Sequence, residues 1–200
     1  LTGEREFWSM ALHVTEATLI PRPDTETLVE QALARIPQDA AWRIADLGTG
    51  SGAIALAIAR ERPRCHIVAT DISAPALAVA RGNAERLGLG NITFRLGSWH
   101  LPLQGERFDM LVSNPPYLRE DDAHLRAGDV RFEPRQALVA GDDGLDAIRT
   151  IAHHIKSSLN SGAWLLLEHG YDQARAVGEI LSAEGYGNIQ CHQDLSRHDR

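Results

Sequence analysis

The sequence "ADLGTGSG" has the residue types that let a backbone come close to a ligand. Three glycines stand at alternate positions behind an acidic residue, namely Asp46, Gly48, Gly50 and Gly52. Glycines permit a sharp turn with no Cβ in the way, and a helix that begins behind them offers unpaired N–H groups. The spacing differs from the GxGxxG dinucleotide pattern. A strand-to-helix turn without a ligand explains it less well, so we predict a binding loop that includes Thr49 and Ser51.

A second acid, Asp71, ends the next predicted strand, "HIVATD". In a doubly wound sheet that strand end lies beside the glycine loop, where a carboxylate can accept hydrogen bonds from both ribose hydroxyls. Asp71 could instead cap the following helix, although Ser73 would serve equally well. After the third strand, Trp99 in "GSWH" either packs on an adenine face or covers the sheet edge. We therefore expect an adenosine-containing ligand beside Asp71, Ile72, Ser98 and Trp99.

The third motif is "VSNPPYL", in which Asn114, Pro115, Pro116 and Tyr117 follow a hydrophobic strand. Asn-Pro is also ordinary turn chemistry and prolines end strands, so a structural turn is the alternative interpretation. Paired prolines remove backbone freedom and can hold a carbonyl oxygen rigidly. Because the fourth strand neighbours the first in the usual order of such sheets, we expect these residues beside the ligand.

Hydrophobic patterns predict the elements that position these motifs. Strands and helices alternate in the order "WRIADLG", "AIALAIARE", "HIVATD", "APALAVARGNAERLG", "NITFRLG", "FDMLVSN", a helix near residues 144–159, "AWLLLEH", "DQARAVGEILSAEG" and "NIQCHQ". The strand "FDMLVSN" lacks alternation, which is typical of burial on both faces of a parallel sheet. The alternation specifies an α/β fold, a mostly parallel twisted sheet with helices on both faces.

Two flanking regions complete the predicted organisation. A hairpin over residues 8 to 14 and a helix that ends before Pro37, capped by Asp24 or Thr25, are expected to precede the sheet. Residues 118 to 142 show no convincing periodicity, and a loop of that length inside a compact domain is usually functional, for example as a lid or a docking segment.

Composition argues against several classes of protein. Lys and Arg number 20 against 27 Asp and Glu, a net charge of -7, which disfavours a protein that mainly coats nucleic acid. No apolar run is long enough to span a membrane and no signal peptide is recognisable, so we expect a cytoplasmic protein. Cys65 and Cys191 form no CxxC pair and are expected to be buried reduced thiols. The nine His show no metal-ligand spacing, so no metal is expected.

The glycine motif, the acid after the second strand and the Asn-Pro-Pro-Tyr motif together resemble class I S-adenosylmethionine-dependent methyltransferases that act on a planar NH2 group. The segments "LIPRPDTETLVE", "VRFEPRQALVAGDDGL" and "LLLEHG" resemble the release factor glutamine methyltransferase family, and the resemblance covers nearly the whole chain. Ribosomal-protein glutamine methyltransferases usually carry a Ser-Pro variant after "PR", so "PRPDTE" favours the release-factor branch.

This resemblance implies a Rossmann-like fold and S-adenosyl-L-methionine as cofactor, with S-adenosyl-L-homocysteine as product. The substrate would be the Gln of the Gly-Gly-Gln loop in class-one peptide-chain release factors. The Asn114 side-chain oxygen and the Pro115 carbonyl would accept its two amide hydrogens and aim the nitrogen lone pair. Tyr117 would pack on the flat amide, with Pro116 at the substrate pocket. Arg22 either borders that pocket or fixes the entry to the following helix. Cofactor contacts are expected from Asp46, Gly48, Thr49, Gly50, Ser51, Gly52, Asp71, Ile72, Ser98, Trp99 and Asn114.

Two departures from the family pattern stand out. Ser98 occupies the place of an acid that usually precedes the Trp, so a hydroxyl would have to make the adenine contact. The family also has an N-terminal helical domain and a last strand after "DLSRHDR", and we expect this chain to lack both. The expected organisation is an N-terminal hairpin and helix over residues 1–36 and a methyltransferase core over residues 37–200.

Alternative functions are a DNA adenine or cytosine amino-methyltransferase, a ribosomal-protein glutamine methyltransferase and a nucleotide-binding regulatory domain. The DNA enzyme would need a duplex-binding surface and base flipping, which the net charge disfavours. The intact Asn-Pro-Pro-Tyr motif argues against a regulatory domain. We expect a monomer with no membrane or nucleic-acid partner. Glu133 either lines the site or makes a surface ion pair, with the surface favoured, and Glu168 either faces the cofactor or caps a turn.

Overall fold

A computed structural model of the chain describes residues 3 to 126 and 128 to 200. In this part of the chain, seven strands and five α-helices follow one another: β1 (Glu4–Phe7), β2 (Met10–His13), α1 (Glu26–Arg35), β3 (Arg43–Leu47), α2 (Ala53–Glu61), β4 (His66–Asp71), α3 (Ala74–Leu87), β5 (Ile92–Leu96), β6 (Phe108–Ser113), α4 (Asp146–Ile155), β7 (Leu159–Leu167) and α5 (Ala174–Ala183).

The central sheet has five parallel strands in the order β5-β4-β3-β6-β7. The predicted α/β fold with a parallel sheet is therefore confirmed, and β6 pairs directly with β3 as expected. The helices α2, α3 and α4 connect β3 to β4, β4 to β5 and β6 to β7, because parallel neighbours cannot be connected by a tight turn. Only a short 3₁₀ turn lies between β5 and β6.

The sheet is buried on both faces, since alternate residues of its strands enter two hydrophobic clusters. Ile44, Ile67 and Met110 belong to the cluster that includes α2, whereas Ala45 and Leu111 pack with α4. This arrangement explains why the β6 sequence shows no alternation of apolar and polar residues.

The predicted N-terminal hairpin is present as the antiparallel pair β1 and β2. The Asn83 side chain on α3 holds it, accepting from the His13 N–H at 2.8 Å and donating to the His13 carbonyl at 3.0 Å. The predicted side-chain cap of α1 is absent, because neither Thr25 nor Asp24 caps the helix with its side chain. The Thr25 hydroxyl is used elsewhere, as described below.

Where the structure describes residues 118 to 142, namely 118 to 126 and 128 to 142, it has short 3₁₀ turns instead of a regular element. A bridge between Leu118 and Val139 closes this segment, with the Leu118 N–H donating to the Leu138 carbonyl at 2.8 Å and the Ala140 N–H donating to the Leu118 carbonyl at 2.9 Å. The segment is therefore folded against the residues that follow β6.

Two expectations for the C-terminal region are wrong. Residues 188 to 193, "NIQCHQ", form no strand in the sheet and contribute only an isolated bridge between Gln193 and Asp199. The physical reason is that a short apolar pattern needs a ladder partner to become a strand. Cys191, which lies there, is consequently exposed, whereas Cys65 is buried as expected.

None of the helices among the described residues combines the length and apolar character needed to cross a membrane. In the same residues, no group of three or more His, Cys, Asp and Glu side chains is placed to hold a metal ion.

Truncating Leu111 on β6 should test the central packing. Leu111 has no exposed surface, and Leu111→Ala should lower the free energy of unfolding by about 2–5 kcal/mol, since it removes buried methyl groups and leaves a cavity. Leu195→Ala is the matched control, because Leu195 is 97% exposed and should change stability by less than about 0.5 kcal/mol. Urea unfolding of both variants is the measurement, and equal effects would contradict the described core.

Candidate active site

The site begins with one row of residues that crosses the sheet. Leu47 on β3 is in register with Thr70 on β4 and with Ser113 on β6, and Ser113 is in register with Leu167 on β7. The residues directly after this row are Gly48, Asp71, Asn114 and Glu168. Parallel strands thus bring residues from four distant parts of the sequence to one edge, where ligands usually bind in such sheets.

The glycine loop turns sharply at this edge. Gly48, Gly50 and Gly52 have positive φ angles of 70°, 57° and 90°, which favour glycine. A Cβ on Gly48 would lie 3.6 Å from the Trp99 ring, which is ordinary van der Waals contact, so the indole lies against the loop. Trp99 therefore contacts the loop as well as the adjacent core cluster.

Asp71 is fixed by the loop that it was predicted to face. Its Oδ2 accepts the Gly50 N–H at 2.9 Å and its Oδ1 accepts the Ser73 N–H at 2.8 Å. The helix cap falls to Ser73, whose hydroxyl accepts the Ala76 N–H at 3.2 Å. The capping alternative for Asp71 is therefore unnecessary, and its carboxylate remains oriented at the strand ends.

A cavity of about 460 Å³ lies above this edge. Its lining includes several of the predicted ligand contacts, namely Gly48, Gly50, Asp71, Ile72, Ser98, Trp99, Asn114 and Pro116. Seven predicted residues are not part of the lining: Arg22, Asp46, Thr49, Ser51, Gly52, Pro115 and Tyr117. All of them except Arg22 and Tyr117 are buried.

Sequence reasoning missed one wall of the cavity. Thr18 and Leu19 line it from the segment before α1, and the loop after β6 and helix α4 supply Pro134, Gln136, Ala137, Val139, Asp146 and Thr150. The weak signal for this wall was the length of the loop, which suggested a functional segment but did not identify residues. A second cavity, of about 290 Å³, lies at the outer edge of β7 and includes neither Asp71 nor the glycine loop.

Asp46 is fully buried beneath the glycine loop. Its Oδ2 accepts the Thr49 hydroxyl at 2.6 Å, while Oδ1 has no hydrogen-bond partner among the described residues. Burial raises the pKa of Asp46 to about 7, although the hydrogen bond from Thr49 opposes this change. Asp46 thus holds the loop through Thr49, and the burial of its carboxyl group lowers the stability of the folded chain.

Three side chains hold the Asn-Pro-Pro-Tyr segment. The Asn114 Nδ2 donates to the Thr25 hydroxyl at 3.0 Å, and the Tyr117 hydroxyl donates to Glu168 Oε1 at 3.3 Å. The Gln173 Nε2 donates to the Tyr117 carbonyl at 3.0 Å. The segment is thus fixed by side-chain contacts in addition to its two prolines.

Gly144 permits a close approach behind the same segment. Its φ is +75°, and a Cβ there would lie 2.3 Å from the Tyr117 carbonyl oxygen. A larger residue would displace the loop after β6.

Glu168 neither caps a turn with its side chain nor lines the cavity. It is 2% exposed, and burial raises its pKa to about 7, while Thr25 hydrogen bonding and the Arg200 charge act in the opposite direction. Burial, together with the neighbouring Glu168 charge, also raises the pKa of the Tyr117 phenol.

Arg22 and Glu133 form an ion pair between the segment before α1 and the loop after β6, with Arg22 Nη2 to Glu133 Oε1 at 2.6 Å. The surface location favoured for Glu133 is wrong, because its side chain is only 3% exposed. Arg22 does not line the cavity, and its contact with Glu133 connects two segments that do. The pair is a structural connection between two parts of the cavity wall.

The parallel sheet, the glycine loop and the acid at the end of β4 define a Rossmann-like methyltransferase, and the family model described as "Methyltransferase domain" matches residues 38–186. The release factor glutamine methyltransferase of Xylella fastidiosa strain Temecula1 is 54% identical over 200 residues, which is 100% of this chain and 73% of the relative. The chain belongs to the release factor glutamine methyltransferase family.

Two further relatives support this assignment. The release factor glutamine methyltransferase of Escherichia coli strain K12 is 52% identical, over 100% of this chain and 72% of the relative. A crystal structure of the release factor-specific protein-(glutamine-N5) methyltransferase from Alicyclobacillus acidocaldarius is 30% identical, with a TM-score of 0.55 over 90% of each chain.

Replacing Asp46 should change how stability depends on pH. Its pKa of about 7 in the folded chain exceeds the ordinary 3.8, so the folded state holds the proton more tightly and wild-type stability should fall as pH rises from about 4 to 7. Asp46→Asn should remove this contribution, which is on the order of 4 kcal/mol, and be relatively more stable at pH 8. Urea unfolding across this pH range is the measurement.

Asp39→Asn is the control for this experiment, because Asp39 is exposed on the surface after α1. It should retain the wild-type pH dependence. An unchanged pH dependence in Asp46→Asn would contradict the assigned burial cost.

Proposed function

We propose that the chain transfers a methyl group from S-adenosylmethionine to the side-chain amide nitrogen of the Gln in the Gly-Gly-Gln loop of class-one peptide-chain release factors. The observation that carries the proposal is that Asp71 and Asn114 follow the strands on either side of β3, so that both line one cavity with the glycine loop between them. Family membership supplies the substrate class, since the named relatives are release factor glutamine methyltransferases. Such a substrate implies an activity in the cytoplasm.

The charge of the cavity fits this cofactor. The lining includes two carboxylates, Asp71 and Asp146, and no Lys, Arg or His among the described residues. Acidic side chains attract a positively charged sulfonium or ammonium group, whereas a dinucleotide pyrophosphate would meet like charge. The Asp71 carboxylate is already oriented by two N–H groups, as ribose binding would require. Ile72, 63% exposed, and Trp99 offer apolar surface for a flat base.

S-adenosylmethionine, when bound, supplies a methyl group on a positively charged sulfur that leaves as a neutral thioether. The amide nitrogen of the substrate gains the methyl group and releases one of its two protons. An amide nitrogen is a weak nucleophile because its lone pair is delocalised into the carbonyl. The Asn114 Oδ1 and the Pro115 carbonyl oxygen would accept its two hydrogens and orient the lone pair toward the methyl carbon.

In this proposal Tyr117 acts from below the cavity. Its hydroxyl is held by Glu168 and its carbonyl by Gln173, so it fixes the backbone that carries the Pro115 carbonyl. A ring contact with the substrate amide is a further part of the proposal. Arg22 is assigned to the cavity wall through Glu133 and not to the substrate.

The decisive experiment offers a purified release factor and an unmodified DNA duplex side by side with radiolabelled S-adenosylmethionine. We expect label in the release factor, and its loss when the Gln of the Gly-Gly-Gln loop is replaced by Ala. Label in DNA alone would reject the proposal in favour of a nucleic-acid amino-methyltransferase.

Asp71→Ala should weaken cofactor binding. The change removes the charged acceptor for the ribose hydroxyls, and the loss of one such hydrogen bond costs about 1.5–3 kcal/mol, so the Kd for S-adenosylmethionine should rise at least roughly 10- to 100-fold. Isothermal calorimetry is the measurement, with Asp39→Ala as a surface control of the same charge change. If wild type and Asp71→Ala bound S-adenosylmethionine equally well, or if the protein bound NAD instead, this edge of the sheet would not be the S-adenosylmethionine site.

Asn114→Ala should lower turnover more than cofactor affinity. Losing one well-placed acceptor raises the barrier by about 2–4 kcal/mol, which corresponds to roughly 30- to 1,000-fold in rate. Asn114→Asp should be less harmful, because the carboxylate keeps an acceptor at the same place. Single-turnover methylation of the release factor gives the rate and calorimetry gives the affinity. Turnover near wild type in Asn114→Ala would mean that Asn-Pro-Pro-Tyr is only a turn.

A further inference from the structure

We infer that Thr25 and Glu168 act together as positioning residues that hold the Asn114 amide with its oxygen toward the cavity, an inference that rests on the proposed function of Asn114. Neither residue lines the cavity. Both are buried, and Thr25 is hydrogen-bonded to Asn114, which does line the cavity.

Thr25 stands at the position of a helix N-cap, yet its hydroxyl is hydrogen-bonded to Asn114 and not to the helix. It precedes α1, makes no side-chain cap and is 4% exposed. Its Oγ1 accepts the Asn114 Nδ2 at 3.0 Å across 89 residues of sequence. Because the hydroxyl makes the distant contact and not the local cap, we assign the Asn114 contact as its main role.

The orientation of the Asn114 amide decides whether it can bind an NH2 group. A rotation of 180° exchanges oxygen and nitrogen, and the NH2 end would present hydrogens to the hydrogens of the substrate. A hydroxyl alone does not select one orientation, because it can both donate and accept. The partner that receives the Thr25 hydrogen therefore determines which end of Asn114 faces Thr25.

Glu168 is suited to receive that hydrogen. Its Oε2 is buried and has no hydrogen-bond partner among the described residues, and the Thr25 hydroxyl lowers the pKa of Glu168, so this oxygen is an available acceptor for the Thr25 hydrogen. With its hydrogen directed to Glu168, the Thr25 oxygen can only accept from Asn114, so Nδ2 faces Thr25 and Oδ1 faces away. Glu168 is itself fixed, since its N–H donates to the Ser113 carbonyl at 3.0 Å.

The charge state of Glu168 is sensitive to pH near neutrality. Burial raises its pKa to about 7, the charge of Asp24 raises it further, and Arg200 and the Tyr117 hydroxyl lower it. These groups come from the segment before α1, from the C-terminal segment and from the loop after β6, and His169 follows Glu168 in sequence. A protonated Glu168 can donate to Thr25, which then can donate to Asn114 and favour the flipped amide.

The first test replaces the Thr25 hydroxyl. Thr25→Val keeps the shape and should lower the kcat for release-factor methylation about 5- to 30-fold, while the Kd for S-adenosylmethionine stays within about twofold. Thr25→Ser restores the hydroxyl and should recover turnover to within about threefold of wild type. Thr27→Val, on α1, is the matched control and should leave kcat unchanged. Wild-type turnover in Thr25→Val would overturn the inference.

The second test is a pH profile. Wild-type kcat should rise with pH through about 7, as Glu168 loses its proton and fixes the amide. Glu168→Gln imitates the neutral state and should have low kcat with this rise removed. Asp46 is intact in both proteins, so any rise due to Asp46 would remain in both. An identical rise in wild type and Glu168→Gln would overturn the role of Glu168.

The third test needs no turnover. In 15N-labelled protein without cofactor, the side-chain NH2 signals of Asn114 should shift with a midpoint near pH 7 in wild type and not in Glu168→Gln. A flat titration in wild type would reject the inference. If wild type fails to methylate the release factor, the proposed function fails, and this titration still decides whether Thr25 and Glu168 position Asn114.

Discussion

The active edge of the molecule depends on one constraint, the register of four parallel strands around β3. Since Leu47, Thr70, Ser113 and Leu167 form one continuous row, the residues after them have no freedom to separate. Parallel pairing fixes each step along the strand, and burial on both faces prevents a slip of one residue. The glycine loop, the acid of β4 and the Asn-Pro-Pro-Tyr segment are therefore positioned by the sheet, before any side chain of the site makes a contact.

Two buried carboxyl groups show what this arrangement costs. Asp46 lies under the glycine loop and Glu168 under the Asn-Pro-Pro-Tyr segment, and burial raises the pKa of both to about 7. Neither lies in the cavity wall, yet each contacts residues that shape the site. Stability is thus reduced at positions that support function, as expected where a rigid polar site is built inside an apolar fold.

The sequence predicted the elements of the sheet and the ligand edge, because periodicity and glycine spacing are local signals. The contact between Thr25 and Asn114 was not predictable, since a Thr before a helix has the same appearance whether it caps that helix or bonds 89 residues away. The cavity wall from the loop after β6 was missed because it has no periodicity. "NIQCHQ" was misassigned because an apolar alternation does not reveal whether a partner strand is present.

The ion pair of Arg22 with Glu133 has a consequence for the order of folding. It joins positions 111 residues apart, further than the pairing of neighbouring strands, so its chain entropy cost is compensated only after the sheet has formed. A partly folded chain could thus contain the glycine loop without the opposite wall. A ligand that contacts both walls binds only the complete structure, and by mass action it selectively stabilises that structure. The affinity for such a ligand therefore reports the fraction of molecules in which both cavity walls are folded, and not the local order of the glycine loop alone.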